Sequence, residues 1–155
     1  MDKTANYITE DKRKELEVEL TELKGPKRKE ILEALEYAKS LGDLSENAEY
    51  HQAREDQGKL ESRIAKIESV LQSSLVVSGG GGETIEVGSK IVVRKNGDKE
   101  EKAYMIVGSE EADMTLGKIS NQSPLGRAVF GKKKGESVKL NTPGGEVSYK
   151  IISVA

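Results

Sequence analysis

Seven positions, Tyr50, Ala53, Gln57, Leu60, Ile64, Ile67 and Leu71, follow one another at alternating steps of three and four residues. That is the spacing of a helix that buries one narrow seam against a partner helix. Arg54, Glu55, Glu61, Arg63, Lys66 and Glu68 fall off the seam. An upstream stretch, Thr9 to about Leu41, has the same helical pattern: Leu16, Leu20, Leu23, Ile31, Leu35 and Ala38 recur at steps of three, four or their sums. Thr9 suits the N-cap, and Glu10 and Asp11 suit the positive end of the helix dipole. Gly25-Pro26 should kink or interrupt this first helix, because proline lacks the amide hydrogen and collides with the preceding turn. The tight Leu41-to-Ser45 connection predicts an antiparallel hairpin. Its second helix should run from Ser45 to Gln72, roughly 40 Å at ~1.5 Å per residue.

The periodicity changes at "SSLVVSGGGGETIEVGS", residues 73–89. Four consecutive glycines, Gly79 to Gly82, are entropically costly inside any regular element and read as a flexible joint, while Leu75-Val76-Val77 packs on a neighbour. Beyond the joint the period becomes two. Asn96-Gly97 between two β-branched runs predicts a type I′ hairpin. Ser123 as N-cap, Pro124 at the first helical position and Gly131 as terminator predict a short helix. "ESVKLNTPGGEVSYKIISV" then reads as strand, Pro-Gly-Gly turn, strand. The expected fold is an α+β two-domain chain. Residues 1–75 form an antiparallel coiled coil with its tip at 42–47, residues 76–88 a linker, and residues 89–155 a small domain on a mainly antiparallel sheet.

Composition removes several functions. Net charge is −2, with 13 Lys+Arg against 17 Asp+Glu in residues 1–74 and 12 against 10 thereafter. Neither half is a polybasic module for bulk nucleic-acid or membrane binding. Absence of cysteine excludes disulfides, thiolate metal sites and cysteine nucleophiles. No apolar run approaches the ~20 residues of a membrane helix, and the start "MDKTANYITEDKRK" lacks a secretory core. A cytoplasmic protein is expected. His51 is the only histidine, and neither a nucleophile elbow nor a phosphate-binding G-x-x-x-x-G-K-[ST] loop occurs. The single histidine reads as partly packed, and Lys132 to Lys134 as a solvated turn at a helix exit.

What remains is the acidic tip, "SLGDLSENAEYHQ". Asp43 and Glu46 admit two readings. In one they are helix caps, Asp43 accepting backbone N–H groups and Glu46 reaching back, with Ser45 competing for the cap. In the other they are hard oxygen ligands suited to Mg²⁺, too few to fill an octahedron unless another macromolecule supplies the rest.

"GDLSENAEYHQAREDQGKLESRI" resembles the most distinctive segment of the Gre transcript-cleavage factors, nearest the GreA type. "ISNQSPLGRAVFGKKKGESVKLNTPGGEVSYKI" resembles the family's C-terminal signature, and "VGSKIVV" and "YMIVGSEEAD" fit as well. The resemblance implies an N-terminal coiled coil followed by an FKBP-like domain. It implies binding of a monomer at the secondary channel of bacterial RNA polymerase. There the tip acids, Asp43 and Glu46 by motif, help hold a second Mg²⁺ and an attacking water. The polymerase site then hydrolyses the backtracked nascent RNA near its 3′ end. On this reading the chain is an accessory factor that holds Mg²⁺ only jointly with polymerase, none being tightly bound to the free protein. By the same resemblance Arg54 contacts the extruded RNA, and Ser123 and Pro124 dock on the channel rim. A solvated helix charge and a simple helix cap are the plain alternatives for these three residues. The four-glycine run, the early Pro26 and Met114 depart from the family pattern, and none touches the tip.

Other functions stay in view. A channel-binding homologue could inhibit polymerase, although an intact acid pair favours cleavage. A coiled-coil adaptor would use the acids only as caps. Prolyl isomerisation is disfavoured because the second half has only Tyr104, Phe130 and Tyr149 to line an aromatic pocket. The acidic N-terminal half favours the GreA type over the GreB type, which carries a broader basic surface, and so favours short cleavage products.

Overall fold

The computed structural model describes residues 5–155; residues 1–4, part of the predicted first domain and of the segment read as lacking a signal, lie outside them. The chain divides into two compact units. One comprises Lys14–Ser73, and the other joins residues up to Arg13 to Ser74–Ala155.

The helical unit is the predicted hairpin. Helix α1 (Glu10–Glu22) begins after Thr9, whose Oγ1 accepts from the Lys12 amide at 3.2 Å, as its N-cap reading requires. Gly25-Pro26 does not end the helical path. Leu23–Lys27 form a π-helical turn that leads directly into α2 (Arg28–Ser40). Widening the turn accommodates a proline ring and its missing donor without ending the helix. Helix α3 (Ala48–Ser73) returns antiparallel. Its seam buries Ala53, Leu60, Ile64, Ile67 and Val70, so the last buried position is Val70, with Leu71 half-buried. Ile31, Leu60 and Ile64 form one cluster with Leu20 and Leu23 against it. Paired guanidinium–carboxylate contacts also join the two arms of the hairpin. Arg28 Nε and Nη2 reach Glu61 at 3.0 and 2.9 Å, and Arg63 reaches Glu19 at 2.7 and 2.9 Å. Lying at or near the surface, such pairs stabilise by only ~0.2–1 kcal/mol each, and burial of the seam dominates.

In the other unit β1 (Tyr7–Thr9) pairs in parallel with β2 (Leu75–Val77). A five-stranded sheet comprises β3 (Lys90–Lys95), β4 (Glu101–Val107), β5 (Lys118–Ser120), β6 (Ser137–Thr142) and β7 (Gly145–Val154), in the order β5-β4-β3-β7-β6. Only the β4–β5 pair is parallel. The short helix α4 (Pro124–Val129) lies between β5 and β6 and is the one predicted. The core contains Tyr7, Ile85, Val87, Ile91, Val93, Ile106, Ile119, Val129, Val138 and Ile151.

Two local expectations change. The β3–β4 turn is not type I′. Asn96 does not have positive φ, Gly97 has φ 90°, and the Asp98 amide bonds to the Lys95 carbonyl at 3.0 Å, a type II signature. A five-residue connection gives the chain room for this turn, whereas type I′ answers a two-residue loop. The predicted linker at 76–88 is also built into the second unit. Val77 belongs to β2, and Ile85 and Val87 are completely buried. A Cβ on Gly79 would lie 2.0 Å from the Val87 carbonyl oxygen, and one on Gly88 would lie 2.2 Å from the Gly79 oxygen. These two glycines are places of backbone contact, which flexibility alone does not describe.

Candidate functional site at the hairpin tip

Residues 41–47 join α2 to α3 and hold both candidate acids. Helix α2 ends in the usual way for a glycine stop: Gly42 has φ 98°, and its amide bonds to the Lys39 carbonyl at 3.3 Å. The start of α3 differs from either predicted cap. Asn47 is the capping residue, its Oδ1 accepting from the Tyr50 amide at 3.0 Å. Its Nδ2 donates to the Ala38 carbonyl at 2.6 Å, so one side chain ties the end of α2 to the beginning of α3. Asparagine is among the best N-caps, so the signal was present in the sequence. Only Asp43 and Ser45 were weighed for the cap, and the across-turn bond to Ala38 is what distinguishes Asn47.

Relieved of the cap, Asp43 forms a local Asx turn: its Oδ1 accepts from the Ser45 amide at 3.2 Å and from the Ser45 hydroxyl at 2.9 Å. The second oxygen of Asp43 and the whole Glu46 carboxylate carry no hydrogen bond or ion pair to the described residues. Both residues are exposed. They line one shallow hollow with Leu41, Gly42, Asn47, Ala48 and Glu49, so the structure brings the two acids together. No group of three or more His, Cys, Asp or Glu among the described residues is arranged to hold a metal ion. The donor set therefore fits part of a coordination shell around a hard cation and leaves the rest to another molecule.

His51 is exposed and its Nε2 lies 3.2 Å from the Ser45 carbonyl, with the ring edge-on to Tyr50 at 5.8 Å between centroids. Sequence reasoning assigned this residue only partial packing; a bond back across six residues leaves no spacing signature. Arg54 is exposed further along α3, and its Nη1 donates to Gln57 Oε1 at 3.2 Å.

Ser123 and Pro124 lie in the sheet unit and are described separately from the tip. Ser123 caps α4, its Oγ accepting from the Gly126 amide at 3.1 Å and donating to the Ser120 carbonyl at 2.7 Å. Pro124 is exposed. Both line a cavity of about 400 Å³ with Tyr104, Met114, Ile119, Leu125 and Leu140 among its other walls. Tyr104 is its single aromatic wall, while Phe130 and Tyr149 pack against the core instead. At the rim Asp113 caps the 3₁₀ turn Met114–Leu116. Hydrogen bonds from the Thr115 hydroxyl and amide hold its carboxyl below the usual aspartate range.

Two family models match the chain. One, described as transcription elongation factor, N-terminal, covers residues 6–76, and the other, transcription elongation factor, GreA/GreB, C-term, covers residues 81–155. The chain is 42% identical over 149 residues to transcription elongation factor GreA of Bacillus cereus (strain AH187), spanning 95% of this chain and 94% of that one. It is 43% identical over 150 residues to transcription elongation factor GreA of Roseiflexus castenholzii, spanning 96% of each. Among solved structures, it is similar to GreA factor homolog 1 of Thermus thermophilus at 24% identity and TM-score 0.42, covering 97% and 99% of the two chains.

Proposed function

Since the chain belongs to the GreA/GreB family of transcription elongation factors, we propose that it stimulates cleavage of backtracked nascent RNA by bacterial RNA polymerase. The hairpin enters the polymerase secondary channel tip first, and Asp43 and Glu46 complete a metal site there. The observation carrying this reading is the state of the two acids. Both are exposed on one hollow at the hairpin end, Glu46 is uncommitted, and Asp43 is oriented through one oxygen with the other available. Acids needed only as caps would be engaged by the helix start, and that work is done by Asn47.

The cation that this donor set fits is Mg²⁺. When bound between the tip and polymerase it supplies charge stabilisation and an activated water for phosphodiester hydrolysis. Asp43 and Glu46 would hold it, and the chain acts as an accessory to the polymerase's own chemistry. Arg54, two turns into α3, is suited by charge and exposure to contact the extruded RNA phosphates. In the sheet unit Pro124 offers the exposed part of the docking loop, while both hydrogen-bonding functions of the Ser123 hydroxyl serve the helix start. Ser123 thus shapes the docking surface by fixing the start of α4. The factor works in the cytoplasm, where polymerase is; no helix among the described residues is long and apolar enough to cross a membrane.

The test uses stalled, backtracked polymerase complexes carrying labelled transcript. Wild-type protein is expected to accelerate 3′ cleavage in Mg²⁺ and to release short fragments. Asp43→Asn and Glu46→Gln should each reduce stimulation on the order of 10- to 100-fold while still binding polymerase. Undiminished stimulation by both variants would leave an adaptor role for the tip.

A further inference from the structure

The two peptide groups flanking Glu46 are both restrained, by different side chains. On the C-terminal side Asn47 caps α3 and is tied to α2 through the Ala38 carbonyl. On the N-terminal side the Ser45 carbonyl, which belongs to the Ser45–Glu46 peptide, faces His51 Nε2 at 3.2 Å. A carbonyl oxygen can only accept, so this contact requires the hydrogen on Nε2 of His51. The imidazole also meets the Tyr50 ring in an edge-on contact, 5.8 Å between centroids. The Tyr50 backbone amide donates to the Asn47 cap in the first turn of the same helix. Asn47 and His51 therefore restrain the backbone on either side of Glu46 and leave its carboxylate unengaged.

We infer that His51 is a positioning residue for Glu46: by donating from Nε2 to the Ser45 carbonyl, it fixes the peptide that aims the Glu46 carboxylate at the cation. This rests on the metal-assisting role proposed for the tip. The physical need is plain. Glu46 lies outside any helix, and its own side chain has no partner among the described residues to orient it. A carboxylate that must meet a shared ion loses affinity for that ion when its backbone samples several orientations. His51 makes the ordering a property of the free protein, before polymerase is engaged.

The test compares wild type, His51→Ala and His51→Gln, since a glutamine amide can donate to the same carbonyl. In the free protein, ¹⁵N relaxation should give Glu46 a backbone order parameter near about 0.85 in wild type and below about 0.6 in His51→Ala. His51→Gln should recover most of the difference. With backtracked polymerase, His51→Ala at saturating concentration should lower the maximal cleavage rate by roughly three- to tenfold, the range of one hydrogen bond. It should also raise the Mg²⁺ concentration needed for half-maximal cleavage. The factor concentration giving half-saturation should not change, and His51→Gln should restore the rate. Unchanged order at Glu46 in His51→Ala overturns the inference, as does a defect confined to polymerase affinity. Absence of stimulation by wild type overturns the functional reading and the catalytic part of this inference. The relaxation comparison still decides the backbone restraint by itself.

Discussion

Asn47 carries more of the tip's architecture than either acid. Its carbonyl oxygen caps α3 and its amide nitrogen reaches the carbonyl of Ala38, a residue only 1% exposed. Asn47→Ala removes both bonds and should cost about 1–2 kcal/mol in stability, more than most surface changes. Urea unfolding followed by circular dichroism would measure it as a lower midpoint with unchanged slope. An unaltered midpoint would show that the cap contributes nothing to the hairpin. At this scale the sequence disclosed which carboxylates were available, because no lysine or arginine falls between Lys39 and Arg54 to pair with Asp43 or Glu46 along the chain. It did not disclose which residue caps the helix. Three neighbours have comparable intrinsic preference, and the choice is made by Ala38, nine residues away in sequence. The bond made by His51 was illegible for the same reason, since its partner is a backbone carbonyl.

Elements were legible where one period ran uninterrupted. The Ser-Pro start of α4 and the Pro-Gly-Gly hairpin of β6 and β7 stand where local pattern placed them, and the seam of α3 does so up to Ile67. Failures occur where distant backbone decides. The glycines read as a joint include Gly79, whose backbone lies directly against Val87. Strand β1 falls within residues 1–75, the range expected for the coiled-coil domain. Instead, it pairs with β2, buries Tyr7 in the sheet core, and is held through Thr9 to the Glu111 carboxylate. Gly108 is what admits it: a Cβ there would sit 1.4 Å from the Tyr7 carbonyl oxygen. Gly108→Ala should therefore displace β1. Amide exchange at Leu75, which donates to the Asn6 carbonyl at 2.9 Å, should rise by at least about tenfold, while the central β3–β7 amides remain protected. Retained protection at Leu75 would mean that the close approach is not required.

At the scale of the whole molecule, each unit has its own core, one along the α2–α3 seam and one under the five-stranded sheet. The two-domain class was legible because the hydrophobic period switches from 3.5 to 2. Its boundaries were less so, since the sheet unit recruits residues from the beginning of the chain and from the glycine-rich segment. The family was legible through resemblance, and the structure adds a physical reason for the tip acids being available. The seam and its ion pairs support the hairpin, Asn47 closes its end, and the caps do not consume the carboxylates. The most direct measurement is the Mg²⁺ concentration for half-maximal RNA cleavage by backtracked polymerase, with saturating wild type, Asp43→Asn or Glu46→Gln. Wild type is expected to lower this concentration, and each variant to lose most of the shift while remaining bound. Variants that lower the Mg²⁺ requirement as much as wild type would contradict the role assigned to the tip acids.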